Sequence, residues 1–111
     1  MSAPYTIYRH LAGEAPIPAR GILSQTLSNE DGIEFLLFAF AAGEELSEHT
    51  AARPAIIHII EGEGELTAGP EEYPAGPGTW LRMQADVKHS LVARTPMLMA
   101  LYLLPPVNPA A

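Results

Sequence analysis

The chain has 111 residues, 48% of them apolar, and a formal charge of −7 from six Lys and Arg against thirteen Asp and Glu. A chain of this length supports one hydrophobic core, so we expect a single domain over residues 1–111. Lys88 is the only lysine, and the sequence therefore offers no basic surface for nucleic acid or for an anionic membrane. The absence of cysteine excludes disulfides, cysteine-ligated metal sites and a thiol nucleophile.

The two ends of the chain differ in composition from its middle. Residues 1–10 have no basic region followed by an apolar stretch, which predicts no secretory signal and a cytoplasmic location. The longest apolar stretches, residues 35–42 and 97–107, are shorter than the ~20 residues that cross a membrane. Three prolines in residues 1–18 and three more in residues 105–111 predict a short N-terminal arm and a C-terminal tail.

The first half of the chain predicts a β-hairpin followed by a loop. Residues 22–27 alternate loosely, residues 33–40 form an apolar run rich in phenylalanine, and the turn residues 28–32 lie between them. A polar segment that begins at residue 41 is predicted as a loop, and it contains His49.

Further short apolar runs follow, with turn residues rather than a helical period between them. We predict these runs as strands: residues 55–60, 65–68, 79–83, 89–93 and 97–104. The Pro- and Gly-rich segment 69–78 is predicted as a connection. Seven or eight short strands with turns about every 8–12 residues predict an all-β sandwich or barrel.

Two blocks of the sequence combine glycine and histidine at fixed spacing. They are Gly43-x5-His49-x-Ala51-x3-Ala55-x6-Gly62 and Gly78-x5-Gln84-x-Asp86-x2-His89-x3-Ala93. The blocks resemble the paired motifs of the cupin superfamily, G-x5-H-x-H-x3-4-E-x6-G and G-x5-P-x-G-x2-H-x3-N, in the small single-domain, RmlC-like form. The resemblance implies a double-stranded β-helix, or jelly-roll barrel, whose core spans residues 33–104.

The resemblance also implies a metal cage of three His and one Glu for iron, manganese, nickel, copper or zinc. In this sequence the second His position is Ala51, the Glu position is Ala55, and the Asn that ends the second motif is Ala93. Only His49 and His89 remain. Two neutral imidazoles without a carboxylate make a weak site for a divalent ion, so we expect no cofactor. A divalent transition metal held by the two histidines is the alternative.

Three alanines at the cage positions leave a mostly uncharged interior. We expect a ligand pocket formed by His49, His89, Ala51, Ala55, Ala93 and Met83. The favoured function is the binding of a small molecule. One alternative is a metal-dependent enzyme, dioxygenase- or isomerase-like, with a reduced two-His site. Asp86, three residues before His89, is the least implausible further metal donor. The other is a metal-free enzyme in which a histidine moves a proton on a sugar or keto acid.

The remaining histidines and the apolar runs bear on whether the chain forms an interface with a second copy of itself. His58 has the opposite strand parity from Ala55 and is expected on the outer face of the sheet, whereas His10 is expected to be solvated on the arm. The runs 55–60, 35–40 and 97–104 are apolar on both faces, so both faces must be covered. We expect a second copy of the chain to cover the outer face in a two-fold homodimer.

The arginines and the single tryptophan are expected to have surface or packing roles rather than functional ones. Arg53, Arg82 and Arg94 are expected as ordinary charges at the rim, with the alternative that one of them binds the carboxylate of an anionic ligand. Trp80 is expected to pack in the core or in an interface.

Overall fold

The computed structural model describes residues 4–106, in which one helical turn precedes nine strands. In chain order the elements are α1 (Leu11–Glu14), β1 (Ile22–Glu30), β2 (Ile33–Phe40), β3 (Glu45–His49), β4 (Ala55–Glu61), β5 (Gly64–Ala68), β6 (Glu71–Ala75), β7 (Trp80–Met83), β8 (His89–Ala93) and β9 (Met97–Leu103). A five-stranded sheet has the order β1-β2-β9-β4-β7, and a four-stranded sheet has the order β3-β8-β5-β6. All the pairings are antiparallel, and the expected all-β jelly-roll barrel is confirmed.

The predicted hairpin is present, with a tighter turn than expected. β1 continues to Glu30, and only Asp31 and Gly32 separate it from β2. Both turn residues have positive φ, 56° and 78°. Two consecutive left-handed residues match the right-handed twist of the strands that they join, and Asp-Gly is a preferred sequence for this turn.

Two segments that were predicted as loop or connection are strands. β3 forms inside the polar segment around His49, because it pairs with β8 even though most of its side chains are exposed. β6 forms inside the Pro- and Gly-rich segment 69–78 and includes Pro74. β6 is the edge of its sheet and pairs only with β5, so a residue without an N–H group is tolerated there.

The main core lies between the two sheets. Alternate residues of β4 and β8 point inward, as the period of two along a strand requires. The buried residues of this core are Phe40, Ala55, Ile57, Ile59, Leu66, Ala75, Met83, Leu91, Ala93, Met97 and Met99. His58 lies on the other face of β4, as expected.

The N-terminal arm packs on the outer face of the five-stranded sheet. A second apolar cluster combines Leu37, Leu98 and neighbouring residues of the sheet with Leu11, Ala15 and Ile17 of the arm, and Ala15 is only 1% exposed. The hydroxyl of Tyr8 donates to the Leu27 carbonyl oxygen at 2.8 Å. Part of the face that was expected to meet a second copy is therefore covered by the chain itself.

The rest of that outer face is more open. Trp80 on β7 is 59% exposed and lies outside both apolar clusters, so the expectation of a core position for it is wrong. The C-terminal tail lies outside the described residues beyond residue 106. Within residues 4–106, no helix is long and apolar enough to span a membrane.

Candidate functional site

A β-bulge in β3 turns His49 toward the barrel interior. Leu46 pairs with Leu91 and His49 pairs with His89, so three steps along β3 correspond to only two steps along β8. In a regular strand, positions 46 and 49 would point to opposite faces. The extra residue re-aims the side chain, and both Leu46 and His49 line the same cavity.

The pairing of β3 with β8 brings the two motif histidines into contact. The His49 and His89 ring centroids are 4.1 Å apart, with 57° between the ring planes. His89 is 7% exposed, whereas His49 is exposed at the end of its strand. The pair therefore bridges the interior of the barrel and the solvent.

Both imidazoles are held in place by the backbone of their own strand or turn. His49 Nδ1 lies 2.8 Å from the Ser47 carbonyl oxygen, and His89 Nδ1 lies 2.9 Å from the Val87 carbonyl oxygen. A carbonyl oxygen can only accept a hydrogen bond, so Nδ1 is the protonated nitrogen in each ring. In the neutral ring, Nε2 then has a free lone pair.

The histidines form the polar end of an apolar cavity of about 80 Å³. Six apolar side chains from both sheets make most of its wall: Phe38, Leu46, Ile57, Leu91, Met99 and Leu101. Ser90 is the remaining lining residue. Such a lining favours a small ligand with an apolar body and one polar group.

Burial lowers the pKa of His89. The main cause is the loss of hydration, and the nearby His49 lowers the pKa further. The hydrogen bond to the Val87 carbonyl oxygen acts in the opposite direction. Near neutral pH, His89 is therefore held in its neutral form, with the lone pair on Nε2.

The other predicted pocket residues lie around this cavity rather than on its wall. Ala55, Met83 and Ala93 are buried in the main core. Ala51 is half-buried in the β3–β4 loop, where its carbonyl oxygen accepts a hydrogen bond from the Asp86 N–H at 2.8 Å. Contact of these four residues with a ligand stays a prediction.

The wall residues on β2 and β9 were missed at the level of sequence. The inward parity of Phe38 and Met99 follows from the apolar runs only once the partner strands are known. Leu46 was missed because the bulge beside it has no signal in the sequence.

The metal cage that the family resemblance implies is not completed by these residues. Each histidine has the arrangement of a metal ligand, with Nδ1 bound to a carbonyl oxygen and Nε2 free. In the part of the chain that the structure describes, however, no three His, Cys, Asp or Glu side chains lie together. Asp86 is exposed and does not join the pair, so its assignment as a third donor is wrong.

The arginines lie away from the cavity wall. Arg53 donates from Nε to the Leu104 carbonyl oxygen at 2.8 Å and from Nη2 to the carbonyl oxygens of Leu103 and Gly32. Its Nη1 lies 3.5 Å from Glu34 Oε1. Arg53 is therefore a structural residue, not the ordinary rim charge that was expected.

The other two arginines remain on the surface. Arg94 pairs with Glu65 and is mostly exposed. Arg82 is exposed and borders a separate depression beside Pro54 and Gln84. Neither position supports the alternative in which an arginine binds a carboxylate in the His cavity.

Comparison with known proteins identifies the fold. A family model described as a cupin domain matches residues 36–104. No curated protein matches the chain significantly.

Several solved structures are similar over nearly the whole chain. A conserved protein of unknown function from Streptococcus pyogenes has 25% identity and a TM-score of 0.80, over 97% of this chain and 93% of that one. A cupin superfamily protein from Desulfitobacterium hafniense has 24% identity and a TM-score of 0.81, over 92% and 94%. An RmlC-like cupin protein from Desulfovibrio desulfuricans has 24% identity and a TM-score of 0.79, over 93% and 100%. These similarities support the fold alone.

Proposed function

The chain belongs to the cupin domain family, and we propose that it binds a small molecule in its barrel cavity, with His49 and His89 as the polar anchors. The observation that supports this proposal most directly is the pairing of two backbone-anchored imidazoles at one end of an apolar cavity. Apolar walls provide affinity by removing hydrocarbon from water, and a few fixed polar groups orient the ligand.

The polar anchors have little freedom to turn away from a ligand. Each ring is fixed through Nδ1, and His49 and His89 face each other across the β3–β8 pairing. A preorganised site loses less side-chain entropy when it binds. Among residues 4–106, Nε2 of neither ring has a hydrogen-bond partner, so both atoms are available to a ligand.

The test is a screen of small fragments by NMR on the ¹⁵N-labelled protein. Binders are expected to shift the imidazole signals of His49 and His89 and to leave the signals of His58, on the outer face, unchanged. A chelator in every sample keeps trace metal ions away from the two rings.

A matched pair of variants locates the binding. Leu46→Trp adds bulk to the cavity wall and is expected to abolish the shifts, whereas Leu23→Trp makes the same change at an exposed position on β1. If fragments bind Leu46→Trp as well as the unsubstituted protein, the cavity is not the binding site. A broad screen that never shifts the two histidines contradicts the proposal.

Proton transfer is the second candidate function, and the lowered pKa of His89 favours it. A neutral imidazole with a free Nε2 can accept a proton from a ligand held beside it. The test is hydrogen–deuterium exchange at acidic C–H bonds of keto acids and sugars in D₂O. Exchange that is catalysed by the protein and lost in His89→Phe but not in His58→Phe would support an enzyme. No exchange above the protein-free rate would contradict one.

A further inference from the structure

We propose that the cavity selects a primary ammonium on a short apolar chain, because such a head group donates several N–H hydrogen bonds. The same cavity discriminates against carboxylates. This inference rests on the proposed function and names the ligand class of the same site. It follows from the direction in which the two imidazoles can form hydrogen bonds.

The two rings offer acceptors, not donors, to the cavity. Their Nδ1 hydrogens are used by the carbonyl oxygens of Ser47 and Val87, at 2.8 and 2.9 Å. In its neutral form an imidazole has one N–H group, so the other nitrogen carries a lone pair. A carboxylate has only acceptor oxygens, and it would place them against these two lone pairs without forming a hydrogen bond.

Two neighbouring lone pairs require two donors on one head group. Both rings line the cavity and their centroids are 4.1 Å apart, so one small group can contact both rings. A primary ammonium has three N–H donors, whereas an alcohol has one. The ammonium therefore satisfies both rings and keeps a third donor for water.

The position of the pair limits the cost of removing water from a charged head group. His49 is exposed, so an ammonium beside it keeps part of its hydration. The alkyl chain would then lie against apolar wall residues such as Phe38, Ile57 and Leu101. At about 80 Å³, the cavity accommodates a short chain rather than a large ring system.

The charge of the chain also favours a cation. The net charge is −7, which attracts cations over the whole molecule. On β3 and in the turn before β8, three exposed acids, Glu45, Glu48 and Asp86, outnumber the single base, Lys88. An anionic ligand would approach against this field.

The experiment compares four probes of similar size by calorimetry and by histidine ¹⁵N NMR, at about pH 8, where free imidazole is neutral. The probes are n-butylammonium, butyrate, n-butanol and tetramethylammonium, all with chelator and at one ionic strength. The expected result is that n-butylammonium binds at least about tenfold more tightly than each of the others. The expected spectra show both rings protonated at Nδ1, with ligand-induced shifts at both Nε2 atoms.

Variants separate hydrogen bonding from simple filling of the cavity. His49→Phe and His89→Phe keep a flat ring and remove the lone pair, and each is expected to weaken butylammonium binding at least about tenfold. His58→Phe is the matched control on the outer face and is expected to bind as the unsubstituted protein does.

Three results would overturn the inference. If butyrate or butanol binds as tightly as butylammonium and shifts the signals of the two histidines, the requirement for several N–H donors on the ligand is wrong. The proposed small-molecule function then still stands. If tetramethylammonium binds as tightly, charge alone selects the ligand. If none of the four probes shifts either ring, the ligand class is wrong, and the fragment screen decides separately whether the cavity binds small molecules at all.

Discussion

Arg53 connects the β3–β4 loop, on which it lies, to the hairpin turn and to the end of β9 by donating to backbone carbonyl oxygens. The acceptors lie at Gly32 in the hairpin turn and at Leu103 and Leu104, where β9 ends. The side chain is half-buried, so its loss leaves acceptors that water reaches only in part. The planar guanidinium donates along several fixed directions at once, which the ammonium of lysine cannot reproduce.

We therefore predict that Arg53→Ala lowers the free energy of unfolding by about 2–3 kcal/mol, and that Arg53→Lys recovers less than half of the loss. Urea denaturation followed by circular dichroism measures both variants. Arg82→Ala is the control, because Arg82 is exposed, and it should change the stability by less than about 0.5 kcal/mol. Equal effects at positions 53 and 82 would show that the carbonyl contacts contribute nothing.

Asp86 adopts a backbone conformation that glycine prefers. Its φ is +67°, and it occupies the position at which the second cupin motif has glycine. A side chain in the left-handed region costs energy, although Asp tolerates it better than most residues. We predict that Asp86→Gly raises the free energy of unfolding by about 0.5–1 kcal/mol and that Asp86→Ala lowers it. Thermal denaturation tests the order Gly, Asp, Ala, and a variant with Ala more stable than Gly would contradict it.

The lowered pKa of His89 makes the stability depend on pH. Burial disfavours the charged ring in the folded state, so the unfolded chain binds the proton more tightly than the folded chain. The stability that this group contributes is fully present above its unfolded pKa of about 6.5 and is lost as the pH falls toward the lower folded pKa.

We accordingly expect the melting temperature to fall between about pH 7.5 and pH 5.5, above the range where ordinary carboxylates titrate. His89→Phe should flatten this part of the profile, and His58→Phe should leave the profile unchanged. A slope that survives in His89→Phe would assign the pH dependence to another group.

At the scale of elements, the sequence predicted the strands that have their own apolar pattern. The hairpin of β1 and β2 follows from two apolar runs around Asp-Gly. The predicted turn was too long because the last residues of β1 are polar and were included in it. β3 and β6 could not be predicted in this way. They are polar strands at sheet edges, and their structure comes from hydrogen bonds to β8 and β5 rather than from buried side chains.

The candidate site was predictable in part for the same reason. The resemblance to the paired cupin motifs implied that His49 and His89 lie together, and they lie on two strands that pair in the fold. The bulge that brings Leu46 into the cavity depends on how β3 fits β8, which no local pattern encodes. The tautomer of each ring depends on a carbonyl oxygen two residues earlier, and this contact exists only after the strand and turn have formed.

At the scale of the whole molecule, the two ends of the outer sheet face differ. The arm covers the part formed by β2 and β9, where Leu37, Leu98 and Ala100 are almost fully buried. Toward β7, Trp80 is exposed, and it pairs across strands with His58. An exposed tryptophan beside a half-buried strand is a common feature of interfaces between proteins.

We keep the expectation of a two-fold homodimer and assign it to this open end of the face. Light scattering after size exclusion, at micromolar concentration, should give about twice the chain mass of 11.9 kDa. Trp80→Asp should shift the protein toward one chain mass, because a carboxylate at the centre of an interface loses its hydration without a partner. Leu23→Asp makes a similar change at an exposed apolar residue on β1, the opposite edge of the same sheet, and should leave the mass unchanged. A single chain mass for the unsubstituted protein would contradict the dimer, whereas a dimer that tolerates Trp80→Asp but not Leu23→Asp would move the interface to the β1 edge.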